Sequence, residues 1–115
     1  MLKRDFLESA RPAGVFCVKN TVNGKVLIGT SNNLPAMLNR QRAQLQLNSH
    51  MNADLQSDWN REGEDAFVFE VLDTLEMPED RPEYNPADDL KMLEQLWMDK
   101  LSPYGDQGYN RAPRG

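Results

Sequence analysis

Gly14-Val15-Phe16-Cys17-Val18-Lys19 and Lys25-Val26-Leu27-Ile28-Gly29, joined through Asn23-Gly24, decide how this chain folds. Both runs are dense in β-branched residues, which suit a pleated, half-buried surface. Asn-Gly between two such runs is a strong hairpin signal, because both residues tolerate the positive φ of a tight turn. The reading is a β-hairpin, with Val22 leaving the loop length open. Cys17 is the only cysteine, cannot form an internal disulfide, and reads as a buried, inert thiol.

Moving outward, Ser31-Asn32-Asn33 offers capping side chains and Pro35 suits a first helical turn, which predicts a helix over about 34–47. Leu34, Met37, Leu38 and Leu45 then share one face, which must cover the hairpin, with Arg40 and Arg42 flanking it. Asn48-Ser49-His50 breaks the pattern; Met51, Leu55 and Trp59 at four-residue spacing predict a second helix ending at Gly63. His50 lacks a second His or Cys for metal binding and reads as a cap or hydrogen-bonded boundary residue. Ala66 to Leu72, rich in aromatic and β-branched residues, should be a third, largely buried strand. Residues 76–87, with Pro78, Pro82 and Pro86, read as a solvated loop.

The last long helix should begin at Asp88-Asp89, whose charges complement the helix dipole, and run to about Leu101. Its apolar stripe is Leu90, Leu93, Trp97 and Leu101. At 100° per residue Glu94 falls about 55° from the centre of that stripe. A carboxylate on a buried face must be paired or neutralised, which leaves two readings: a partner such as Arg40 or a backbone donor, or a chemical role. Residues 1–10 read as a short helical packing extension, and the segment from Ser102 to Asn110 as irregular and rich in turns.

The length of 115 residues suits one domain. No apolar run approaches the roughly 20 residues that span a bilayer, so no membrane is expected and the chain reads as cytoplasmic. The net charge of −5 argues against a nucleic-acid partner. Its distribution argues otherwise: residues 1–53 carry seven basic and two acidic side chains, and residues 54–115 carry six and sixteen. Such asymmetry permits one basic face on an acidic body. The sequence has no phosphate-binding glycine loop, no Cys/His ligand spacing and no nucleophile elbow.

Taken together, the order of elements and several motifs resemble the GIY-YIG endonuclease superfamily, named for two tripeptides on a hairpin. Gly14-Val15-Phe16 stands at the first tripeptide and Leu27-Ile28-Gly29 at the second. Gly29 to Leu34, His50-Met51-Asn52, Leu55 to Asn60 and Gly63-Glu64-Asp65 leading into Phe67 to Leu72 are similar to its middle segments. Leu93-Glu94-Gln95-Leu96-Trp97 and Gly108-Tyr109-Asn110 match its last two motifs. The resemblance covers about residues 13–111, leaving 1–12 as an N-terminal extension.

It implies an α/β (α+β) fold, a small three-stranded antiparallel sheet flanked by helices, and metal-dependent hydrolysis of a DNA phosphodiester. In that family the hairpin tyrosines activate water and orient the phosphate, and an arginine on the first helix stabilises developing charge. A late glutamate holds the cation, and a terminal asparagine supports the site. Carried over, Glu94 takes the metal position, for Mg²⁺ or Mn²⁺, and Asn110 the asparagine position. Phe16, Leu27 and Met37 replace the two tyrosines and the arginine. Phe and Leu have no hydroxyl to relay a proton, and Met cannot donate to a phosphate oxygen.

The leading expectation is a domain without nuclease activity that binds DNA in an accessory or regulatory role through Lys19, Lys25, Arg40 and Arg42. Two alternatives stand beside it. One is an active divalent-metal-dependent endonuclease with a rebuilt site, in which Arg40 and Asn110, with Tyr109, serve Glu94. The other is a protein-interaction module whose acidic second half meets a protein partner.

Overall fold

The computed structural model describes residues 12–75 and 85–111. The N-terminal extension and most of the proline-rich loop, on which two of the expectations fall, lie outside these residues. Strand β1 (Ala13–Asn20) lies between β2 (Val26–Ser31) and β3 (Phe67–Leu75), antiparallel to both. Around this sheet stand helices α1 (Leu34–Gln46), α2 (Ala53–Glu62) and α3 (Ala87–Leu101). The architecture is the expected three-stranded antiparallel sheet with flanking helices.

β1 is central because its apolar run is continuous, so both of its faces can be buried. Every residue from Ala13 to Val18 is buried. Phe16 and Val18 join Leu34, Leu45, Leu55, Trp59, Phe67 and Tyr109 in one core. Val15 and Cys17 join Ile28 on the other side, with Leu72, Leu93, Trp97 and Met98 packed against them. The hairpin loop spans residues 21–25: Asn20 N–H donates to the Lys25 carbonyl at 2.9 Å, and Gly24 takes φ 80°, where a side chain would be strained.

The expected caps hold. Asn33 Oδ1 accepts from Ala36 N–H at 3.2 Å, Asn52 Oδ1 accepts from Leu55 N–H at 3.0 Å, and α2 ends at Gly63. Three details differ. β3 is an edge strand, with Val68, Glu70 and Val71 exposed, because β1 already occupies the centre of the sheet. Met51 lies outside α2 and is exposed, since Asn52 caps the helix after it. α3 starts at Ala87, one residue early, where Asn85 Oδ1 accepts the Ala87 N–H at 2.9 Å.

The C-terminal segment closes the outer edge of β2. Gly108 bridges to Val26, and Tyr109 N–H donates to the Val26 carbonyl at 2.9 Å. Among the described residues no helix is long and apolar enough to cross a membrane.

Candidate functional site

The two hairpin positions at issue lie on the same face of the sheet. Phe16 is opposite Gly29, and Leu27 is opposite Val18. Phe16 is only 4% exposed, and its ring lies over Gly29 so closely that a Cβ there would meet ring carbons at 2.7 and 2.8 Å. Leu27 and Met37 pack partly buried against the same core. The structure thus gathers Phe16, Leu27 and Met37 into one apolar layer.

Glu94 stands outside that layer. It lines a groove of about 350 Å³ between the start of α3 and the end of β2, together with Thr30, Ser31, Asn32, Asn85 and Lys91. It is half-buried, and forms no hydrogen bond or ion pair among the described residues. The expected partner, Arg40, is not there: it is exposed on α1 and likewise unpaired among the described residues. The reason is geometric, since the flank of α3 that carries Glu94 opens into the groove and water solvates the carboxylate.

A carboxylate among neutral side-chain oxygens suits a hard divalent cation in donor type. Among the described residues no group of three or more His, Cys, Asp or Glu side chains comes together. Glu94 would therefore hold Mg²⁺ or Mn²⁺ only with water and a bound phosphate completing the shell.

Asn110 acts as a peg. Its Oδ1 accepts from Ile28 N–H and its Nδ2 donates to the Ile28 carbonyl, both at 2.9 Å, so the amide extends the sheet beside Leu27. Tyr109 is not available to a rebuilt site. Its hydroxyl donates to Asp58 at 2.7 Å and accepts from Asn20 Nδ2 at 3.1 Å, inside the core. Burial, with Asp58 beside it, pushes the phenol up to about 12.

Burial also works to raise the Asp58 carboxyl, but hydrogen bonds from Tyr109, Arg61 and Asn23 outweigh it and hold the group below its ordinary value. This Asn20–Tyr109–Asp58 network joins β1, the C-terminal segment and α2, and the sequence reading missed it. Asn20 directly before the turn, with a fully buried side chain, is its one local trace.

The predicted basic residues do not share one face. Lys19 alternates with Val18 and Asn20 and emerges on the α3 side, beside Cys17 and Glu70 in a cavity of about 460 Å³. There burial, reinforced by Glu70, pushes the Cys17 thiol up to about 11, as expected for an inert cysteine. Lys25 sits over the Tyr109 ring, 5.7 Å from its centre. Arg42 is paired with Glu64 at 3.1 Å and stacked on Phe69. Arg40 alone is both exposed and free of a partner among the described residues.

His50 is the hydrogen-bonded boundary residue expected. Its Nδ1 accepts from Asn52 N–H at 3.0 Å and its Nε2 lies 2.6 Å from Gln41 Oε1, an arrangement that suits a proton on Nε2. Burial lowers its pKa below the ordinary value.

No protein-family model matches the chain, and no curated protein matches it. Two solved structures resemble it. The catalytic domain of the homing endonuclease I-TevI is 27% identical, with a TM-score of 0.69 over 88% of this chain and 99% of that one. A glutamate-to-alanine mutant of the catalytic domain of the intron endonuclease I-TevI is 24% identical, with a TM-score of 0.69 over 90% of this chain and 99% of that one.

Proposed function

Because this chain has the fold of the GIY-YIG endonuclease superfamily, we propose that it is a DNA-binding domain of that fold that has lost the superfamily's hydrolytic chemistry and serves in an accessory role. The observation that carries the reading is the closure of Phe16 over Gly29, with Leu27 and Met37 in the same apolar layer. Where the family places two hydroxyls and a guanidinium, this chain places core. Losing a general base costs about 10²–10⁴ in rate and losing a charge-stabilising donor about 10²–10³. The two factors are not additive when the groups act as a unit. A cation held by Glu94 would polarise a phosphate oxygen, yet without Tyr109, whose hydroxyl is sealed in the core, no side chain of the hairpin remains to take a proton from water.

DNA as the partner is supported by the likeness to an endonuclease catalytic domain and by the absence of any acid between Glu8 and Asp54. The domain binds duplex through Arg40 and neighbouring polar groups, and Lys19 on the far side of the sheet plays little part. Gel-shift and plasmid-nicking assays on the same protein test this. Salt-sensitive duplex binding without nicking in Mg²⁺ or Mn²⁺ is expected, and Arg40→Glu should weaken the binding. The variant Phe16→Tyr, Leu27→Tyr, Met37→Arg should regain nicking if the DNA path is intact. Nicking by the wild type that Glu94→Ala abolishes would overturn the loss of activity, and no duplex binding at low salt would overturn the DNA-binding role.

A further inference from the structure

Between α1 and α2 the chain displays two large apolar side chains to solvent. Leu47 is 75% exposed and Met51 93%, the highest values for large hydrophobic residues among the described residues. This segment is not loose. Leu47 N–H donates to the Ala43 carbonyl at 2.9 Å and Ser49 N–H to the Gln44 carbonyl at 2.8 Å. Asn60 Nδ2 donates to Asn48 Oδ1 at 3.0 Å, and His50 N–H to Gln56 Oε1 at 3.0 Å. Asn48 accepts φ 57° to complete the turn. A turn locked at both ends therefore holds Leu47 and Met51 outward, where neither contributes to the core.

The charge around them is of one sign. Residues 34–53 include Arg40 and Arg42 and no acid, in a chain of net charge −5. Leu47 ends α1 in near-helical geometry, φ −90° and ψ 4°. Arg40, seven residues earlier, lies about 20° from it around the helix and roughly 10 Å along the axis. That is about the length of three base-pair steps. An exposed cation and an exposed aliphatic side chain on one side of a helix complement a phosphate and a neighbouring base step.

Resting on the DNA-binding reading above, we propose that Leu47 and Met51 form an apolar wedge that enters between base steps of duplex DNA while Arg40 holds the backbone. Proteins that insert Leu, Met or Phe in this way unstack a step and bend the duplex, gaining contact area in return. Phosphate contacts set the register and salt dependence. A phosphate contact and a wedge therefore leave separate signatures.

The test uses duplexes carrying 2-aminopurine at intervals, titrated with the full chain at several salt concentrations. The wild type should raise 2-aminopurine fluorescence as it binds. The double variant Leu47→Ser, Met51→Ser should bind about tenfold more weakly without the fluorescence rise, its salt slope unchanged. Arg40→Gln should reduce the salt slope by about 1. Because all three positions are exposed, equal thermal midpoints for the variants check folding. Wild-type binding with no fluorescence rise, or a serine variant that binds and unstacks like wild type, overturns the wedge and leaves the DNA-binding role standing. If the serine variant loses a self-association in sedimentation while binding DNA normally, the pair is a protein contact and the wedge is wrong. Failure of the wild type to bind any duplex overturns both.

Discussion

Phe16 and Cys17 are neighbours in β1, yet they face different interiors. Phe16 looks toward α1 and α2, into a core closed by Trp59, Phe67 and Tyr109. Cys17 looks toward α3, into a smaller core flanked by the cavity of Lys19 and Glu70; Glu94 lines a separate groove farther along α3. The closed side is the one on which the superfamily resemblance places the hairpin hydroxyls. The open side keeps its charges. A hairpin can thus lose its chemistry on one face by ordinary core packing, with no loss of fold, because each strand residue contributes to only one face.

The difference between the faces is sharpest at the two tryptophans. Trp59 is 7% exposed and stacked near Phe67, with ring centres 5.3 Å apart, whereas Trp97 is half-buried and donates from Nε1 to Asp73 at 3.0 Å. Trp59→Ala should cost about 3–5 kcal/mol in urea unfolding, and Trp97→Ala roughly half that, in proportion to the area it removes from water. Equal losses would mean that the α3 side is packed as tightly as the other.

A smaller effect is expected at Gly29. Alanine there would drive its methyl into the Phe16 ring, and overpacking of this kind costs about 1–3 kcal/mol. Gly29→Ala combined with Phe16→Leu should recover part of the loss, a coupling that a double-mutant cycle reads directly. Additive effects would deny that the ring is held against the strand.

The smallest effect is tied to pH. The folded state holds the Asp58 carboxyl below its ordinary value. Its contribution is therefore complete above the unfolded value of about 3.9 and is lost as pH falls through the lower folded value. Stability should drop between about pH 5 and pH 2 in the wild type, and Asp58→Asn should flatten that part of the profile while costing about 1–2 kcal/mol at pH 7. An unchanged acid limb would place the acid sensitivity elsewhere.

Much of the fold was legible locally. Asn23-Gly24 announced the hairpin, Asn33 and Asn52 capped helices as read, and the continuous apolar run 13–18 already carried the two-sided burial of β1. The third strand was read as buried because apolar composition cannot tell a central strand from an edge strand, and only pairing does so. Glu94 was placed on a buried face because a helical wheel gives an angle to the stripe, not the distance to whatever lies opposite. The site was legible only through its resemblance to the GIY-YIG family. The isolation of Arg40, the engagement of Arg42 by Glu64 and the sealing of Tyr109 depend on residues far apart in the chain.

By itself, then, the sequence determined the elements, their caps and the apolar identities of Phe16, Leu27 and Met37, since these follow from local backbone preference and side-chain chemistry. Only the tertiary structure decided that those three side chains form one layer, that Tyr109 is committed to Asp58, and that Leu47 and Met51 stand outward. Burial is a property of what packs against a residue, and hydrogen bonds spanning 51 and 89 positions, from Tyr109 to Asp58 and from Asn20 to Tyr109, are made by the fold.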